Sequence, residues 1–241
     1  MLNGSRVLAV VPARSGSKGI PGKNVAHAGG MSLIERAGRC LAALEWLDAR
    51  VISTDDPAYA AEGERAGLSA PFLRPAELAG DAAGAVETVT HALLECERVD
   101  GVTYDIVLIV EPTSPLRLPA DVEAAARMLV DGDADSVVTV SPLPKKYHPH
   151  KVFRLDGELL RYYDECGAAV VNRQELGELY WRNGACYALT RDCLVEKRAI
   201  ITERSAALVI ERDLVNVDDP AELLLADALL ARGAAAVEEQ G

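Results

Sequence analysis

"VLAVVPARSGSKGIPGKN", residues 7–24, decides the fold. Its opening, Val7 to Val11, is short, uncharged and rich in β-branched side chains, the composition of a strand buried on both faces of a parallel sheet. The chain must then leave the sheet at its carboxyl edge, where open α/β sheets bind ligands. The segment that follows matches neither of two common phosphate loops. A Walker loop needs four residues between its glycines and Ser or Thr after its lysine, whereas five separate Gly16 from Gly22 and Asn24 follows Lys23. The G-x-G-x-x-G pattern fails because Gly16, Gly19 and Gly22 are spaced evenly, three apart. Two readings remain: a loop whose Arg14, Lys18, Lys23 and free amides suit a polyphosphate, or a solvated basic turn.

Outward from this segment, strand-like runs alternate with helical patterns, the signature of βα units on a mainly parallel sheet. Arg50 to Asp55, Asp105 to Arg117, Asp135 to Pro142 and Ala206 to Glu211 read as further strands, each with its polar turn, and helices are expected over 31–47, 57–67, 84–98, 119–131 and 219–232. Asp56 followed by Pro57 is a helix start signal. Residues 141–182 break the rhythm: Asp156-Gly157 lies between short β-like runs, which reads as a hairpin in an inserted arm that covers a site or reaches a partner subunit. The expected organisation is one α/β domain over residues 1–241, a three-layer, Rossmann-like arrangement with this small arm.

Composition narrows the function. The chain has 241 residues, 49% of them hydrophobic and 26% charged, which suits a soluble globular protein. A net charge of −12 disfavours nucleic acid and anionic membranes as partners. It leaves open an anionic small substrate, because at physiological salt charges are screened over about 8 Å and a few pocket arginines outweigh distant carboxylates. Five cysteines without a C-x-x-C pair read as reduced thiols. No apolar run reaches the eighteen or so residues of a membrane span, and the cytoplasm is the expected location. His148 and His150 form H-x-H, either half of a zinc site or, more in keeping with the Pro149 between them, a polar loop.

Polar motifs follow several strands: Arg14 to Asn24, Ser53-Thr54-Asp55, Glu111 to Arg117, and Asn216 to Asp219. All are expected on one sheet edge, and that convergence points to a ligand site. "VVPARSGSKGIPGKN", "STD", "RPAELA" (Arg74 to Ala79), "EPTSPLR" (Glu111 to Arg117), "RNGACYAL" (Arg182 to Leu189) and "VNVDDPAEL" (Val215 to Leu223) resemble, in order and spacing, the acylneuraminate cytidylyltransferases, the CMP-sialic acid synthetase family. The resemblance covers about residues 5–230. It implies a Mg²⁺-dependent homodimeric nucleotidyltransferase that moves CMP from CTP to the anomeric hydroxyl of an acidic 2-keto-3-deoxy sugar and releases pyrophosphate. The sugar would be a sialic-acid-like nonulosonic acid. The alternatives are legionaminic, pseudaminic, deaminated neuraminic or an eight-carbon keto-deoxy acid, or a nucleotide-binding homologue without catalysis.

Roles follow from the same resemblance, residue by residue. Arg14, Lys23 and Asp218 stand at catalytic positions, and Arg14 can bond two oxygens of the transferred phosphate. Ala13, Arg14, Lys18, Asn24 and Arg74 stand at nucleotide positions, with backbone groups of the first loop reading the base. For Arg74 the competing reading is a surface ion pair with Glu77. Glu111, Lys151, Arg173 and Arg182 stand on the sugar side, with Glu111 where many relatives carry glutamine. A second family arginine falls on Trp181; Arg182 is adjacent, although strand neighbours point to opposite faces. The metal motif, Asp-x-Asp in the family, is Asn216 and Asp218 here, with Asp219 next to them; Asp218 and Asp219 also suit a helix cap before Pro220. Residues 80–88 carry small side chains where relatives often have hydroxyls.

Overall fold

The computed structural model describes residues 1–80, 83–169 and 176–238. Among the described residues, ten strands and six α-helices follow one another as β1 Val7–Pro12, β2 His27–Ala28, β3 Met31–Ser32, α1 Leu33–Ala42, β4 Ala49–Ser53, α2 Pro57–Arg65, α3 Ala85–Asp100 and β5 Ile106–Ile109. They continue as α4 Pro119–Val130, β6 Ser136–Pro142, β7 Phe153–Asp156, β8 Leu159–Tyr162, β9 Tyr180–Thr190, α5 Arg191–Val195, β10 Ser205–Val209 and α6 Pro220–Glu238. The main sheet has six strands in the order β10-β6-β9-β5-β1-β4. All pairs in it are parallel except the two made by β9, which runs against both β5 and β6.

Strand β1 shows why the sheet has helices on both faces. Its alternate residues go to opposite sides: Val7, Ala9 and Val11 join a core with Ile34 and Leu41 of α1 and Val122 and Leu129 of α4. Leu8 and Val10 join a second core with Val89 and Leu93 of α3 and Leu194 of α5. A strand buried on both sides needs an unbroken apolar run, and this one has it. The result is three layers, as the sequence led one to expect. Helix α2 opens as read, with Pro57 at its start and Asp56 Oδ1 accepting from Ala58 N–H at 2.7 Å.

Two expectations shift. The helix expected over 31–47 stops at Ala42; Leu44 and Leu47 remain buried, but tight turns (Leu44 N–H to Leu41 O, Leu47 N–H to Leu44 O) carry them, so the apolar spacing outlasts the helix. Strand β9 and the short α5 were not among the expected elements, because the glycine inside Arg182 to Leu189 and its small residues hide the strand's alternation. The hairpin falls where read, as β7 and β8 turning at Gly157-Glu158, and all eight of its strand residues are exposed. Among the described residues no helix is long and apolar enough to cross a membrane.

Candidate active site

The carboxyl ends of β1 and β5 open onto a cavity of about 560 Å³. The position where β1 sends one connection to β4 and the sheet continues on its other side with β5 is a topological switch point, the usual ligand crevice of such sheets. Arg14, Lys18, Lys23 and Asn24 line the cavity from the first loop, Arg74 from the segment beside β4, Glu111 from the end of β5, Arg182 from β9, and Asn216 and Asp218 from the late segment.

The first wall is a loop tied down by bonds to itself and to the segments beside β4. Asp55, just past β4, accepts from Ser15 N–H at 2.9 Å and from Ser15 Oγ at 2.6 Å, which fixes the loop's departure from β1. Burial opposes ionisation of Asp55, but the Ser15 bonds and the Arg74 charge outweigh it and hold the carboxyl below its ordinary range. Asn24 is buried and donates through Nδ2 to the Arg14 carbonyl at 2.9 Å, closing the loop on itself. Arg14 reaches the Gly80 carbonyl at 3.1 Å. Arg74 is only 6% exposed and its guanidinium bonds Ser53, through Nε to Oγ at 3.1 Å and through a second N–H to the carbonyl. Arg74 is therefore not the surface ion pair of the competing reading. Burial lowers its pKa; the Asp55 charge opposes the fall and the nearby Arg14 adds to it to a smaller degree.

The opposite wall is assembled from distant segments. Val217 N–H donates to the Thr113 carbonyl at 2.7 Å, so the chain after the edge strand β10 returns to the β5 loop and carries Asn216 and Asp218 with it. Lys23 Nζ meets Asp218 Oδ1 at 2.7 Å and joins the two walls. The first loop passes so close that a Cβ on Gly19 would stand 2.4 Å from the Asp218 carbonyl oxygen; only glycine fits. A Cβ on Gly184 would likewise stand 2.4 Å from Glu111 Oε2 and 3.6 Å from Asn216 Nδ2, which places Glu111 and Asn216 side by side. Burial pushes the Glu111 carboxyl up, against Arg117 and Arg182, while Asp218 adds to the rise and Lys23 opposes it. Arg117 does not line the cavity; it is buried and donates to the Ala185 carbonyl at 2.5 Å and to the Glu111 carbonyl, tying β9 to the β5 loop.

The remaining sequence candidates lie elsewhere. Ala13 is fully buried behind the loop, its N–H on the Ser53 carbonyl at 2.9 Å. Asp219 caps α6: its Oδ1 accepts from Glu222 N–H at 2.9 Å while Glu222 Oε2 accepts from Asp218 and Asp219 N–H, a reciprocal capping box. Lys151 is exposed on a short turn of the arm and is not among the cavity-lining residues. Arg173 lies outside the described residues. His148 and His150 meet edge to face with ring centres 4.6 Å apart, and His150 faces Asp164 at 3.3 Å. Among the described residues no group of three His, Cys, Asp or Glu could hold a metal. Sequence reading left out Tyr187 and Thr88, which line the cavity, and gave no role to Arg117 or Asn183; all but Thr88 sit inside the quoted motifs.

Fold and site together place the chain among the nucleotidyltransferase-like α/β proteins. The solved structure of CMP:2-keto-3-deoxy-manno-octonic acid synthetase complexed with CTP shares the fold at TM-score 0.68 and 19% identity, covering 95% of this chain and 100% of that one. A cytidylyltransferase family model matches residues 8–212, and the chain belongs to that family of enzymes. A relative from Legionella pneumophila, CMP-N,N'-diacetyllegionaminic acid synthase, is 32% identical over 93% of this chain and 96% of its own length. An N-acylneuraminate cytidylyltransferase from Streptococcus agalactiae serotype V is 28% identical over 86% of this chain, which spans 48% of that protein.

Proposed function

We propose that this protein transfers CMP from CTP to the anomeric hydroxyl of a nonulosonic acid and releases pyrophosphate, in the cytoplasm. The observation that carries the reading is the cavity that gathers Arg14, Lys18, Lys23 and Arg74 on one wall and Glu111, Arg182, Asn216 and Asp218 on the other. Nucleotidyl transfer asks a protein mainly to hold the attacking oxygen, the phosphorus and the leaving group in line and to offset charge. The first wall offers four cations for a triphosphate. On the second wall, Arg182 suits the sugar carboxylate, and Glu111, which accepts but cannot donate when ionised, suits hydroxyl or N–H groups. Likeness to the Legionella relative favours a legionaminic-type acid among the nonulosonic acids.

Magnesium fits the donor set. Asn216 Oδ1 is buried and has no hydrogen-bond partner, and Asp218 presents a carboxylate to the same cavity. These two would hold the ion, with Asp219 kept at the helix cap and the other ligands drawn from phosphate and water, as Mg²⁺ prefers. When bound, the ion would supply charge neutralisation to the triphosphate. Lys23, now paired with Asp218, and Arg14 would bind and orient the phosphates.

The arm supports a homodimer. Phe153 pairs with Tyr162 and Leu155 with Leu160, so one hairpin face carries two leucines and two aromatic rings, with Leu155 73% and Leu160 63% exposed. An apolar face of this kind on a water-exposed hairpin fits a second copy of the chain. Sedimentation is expected to give a dimer for the native chain and a monomer for Leu155→Asp; a monomeric native chain would remove this role. The activity is tested by pyrophosphate release from CTP with Mg²⁺ against a panel of keto-deoxy acids, with ATP, GTP and UTP as controls. Release with CTP and one acid is expected. Silence across the panel despite CTP binding would favour the non-catalytic homologue.

A further inference from the structure

Strand β9 does not run past β6 regularly. Val138 pairs with Tyr187 and Val140 with Arg182, two positions on β6 against five on β9. A regular antiparallel ladder would set Val138 opposite Gly184, so β9 carries three extra residues here. The parity matters. Residues five apart on a flat strand face opposite sides, yet Val138 and Val140 share a face, and so do their partners. Arg182 and Tyr187 consequently both line the cavity.

The irregularity is built, and Asn183 is its fastening. Asn183 is fully buried, is not among the cavity-lining residues, and divides its amide between the neighbouring strand and its own. Its Nδ2 donates to Ser141 Oγ at 3.0 Å, and its Oδ1 accepts from Ala185 N–H at 3.1 Å. The Thr139 hydroxyl lies 2.7 Å from Asn183 Oδ1 and 2.9 Å from the Cys186 carbonyl, its proton serving one of them, and it accepts from Cys186 N–H at 2.9 Å. Gly184 follows at φ 70°, a left-handed backbone that a side chain would strain and that Glu111 leaves no room to fill. Arg117 holds the far side through Ala185 and Glu111.

We propose that Asn183 is a positioning residue for the acceptor half of the reaction: by fastening the β9 bulge to Thr139 and Ser141 it turns Arg182 and Tyr187 onto the cavity face opposite the triphosphate loop. This rests on the function proposed above for the cavity. Among the described residues, the bonds of Asn183 run to Thr139, Ser141 and Ala185, and Asn24 and Arg74 are held by Arg14 and Ser53 instead, so losing the bulge is expected to disturb acid use and spare nucleotide binding.

The test is Asn183→Ala, with Ser141→Ala as the milder variant that removes only the Nδ2 acceptor. Measured are kcat and KM for the acid that the native enzyme turns over, CTP affinity by calorimetry, and Trp181 emission in a Trp46→Phe background. Asn183→Ala is expected to lower kcat/KM for the acid about 10- to 100-fold, the scale of a misplaced binding group. CTP affinity is expected to stay unchanged, Trp181 emission to shift, and Ser141→Ala to move the same quantities less. Loss of CTP affinity in parallel with acid use, or unchanged acid parameters, overturns the proposal. Should Asn183→Ala not fold, Ser141→Ala decides alone, and unchanged acid kinetics in it overturn the proposal. Should the native chain turn over no acid, the function reading fails, and Trp181 emission together with CTP affinity still judges the bulge.

Discussion

The two walls of one cavity are built in opposite ways. The loop wall, Arg14 to Asn24, is a contiguous stretch closed by bonds to itself and to the turn after β4: Asn24 to the Arg14 carbonyl, Ser15 to Asp55. The opposite wall joins Glu111, Arg182, Asn216 and Asp218, which come from three separate parts of the chain and meet only through the sheet, the β9 bulge and the contact of Val217 with Thr113. A wall made largely of one segment, with only Arg74 added from beside β4, can change little without displacing its neighbours. A wall made of several can change one side chain at a time, and Glu111 and Asn216, two positions where the sequence differs from the motifs it resembles, both stand on it. The division suits a shared donor and a varied acceptor.

The largest effect that would sharpen this division is expected on the groups that face charge. Arg14→Ala should lower kcat by about 10²- to 10³-fold, the scale for removing one preorganised donor to a developing charge, and Asp218→Ala should also impair turnover, both with the fold intact by circular dichroism. Full activity in either variant would refute the role given to that residue. Next is Gly19→Ala. Its Cβ would stand 2.4 Å from the Asp218 carbonyl, so the loop must move; CTP affinity and turnover should both fall, turnover by up to about 100-fold. An unchanged CTP affinity would show that the loop wall tolerates displacement and would break the comparison.

Legibility followed the same line. The loop wall could be read because its residues are neighbours and the apolar run before them fixes where they emerge. Arg74 also emerged from a motif, although its burial against Ser53 did not. The far wall was legible as separate motifs but not as a surface. Period-two reasoning left Arg182 and Trp181 unresolved, because a bulge with three extra residues resets which side chains share a face. Asn183 and Arg117 went without roles for a related reason: each acts on backbone carbonyls, amides and hydroxyls far off in sequence, and no local pattern marks such bonds. The three-layer fold was readable from β1 alone, since its alternate residues feed both cores.

The smallest expected effect concerns Glu111 and pH. Burial raises its folded pKa above the ordinary carboxylate value of 4.5, so the folded state holds that proton more tightly than the unfolded one. Stability from this group is thus full below the unfolded pKa and is lost as pH rises through the folded value. Glu111→Gln should melt higher than the native chain at pH 7, with the difference closing as pH falls toward 4. It should also alter preference among acids while leaving CTP affinity unchanged. A melting difference that widens on acidification would contradict the sign, and a change in CTP affinity would blur the two walls.

The central claim is that the cavity moves a cytidylyl group from the loop wall to an acid held on the far wall. The direct measurement follows two labels through a single turnover with CTP, Mg²⁺ and a nonulosonic acid: phosphorus label at the α-position in one sample and at the γ-position in another. The account predicts α-label in a conjugate of CMP with the acid and γ-label in pyrophosphate. The α-label in free CMP or CDP, or γ-label in inorganic phosphate, would contradict it.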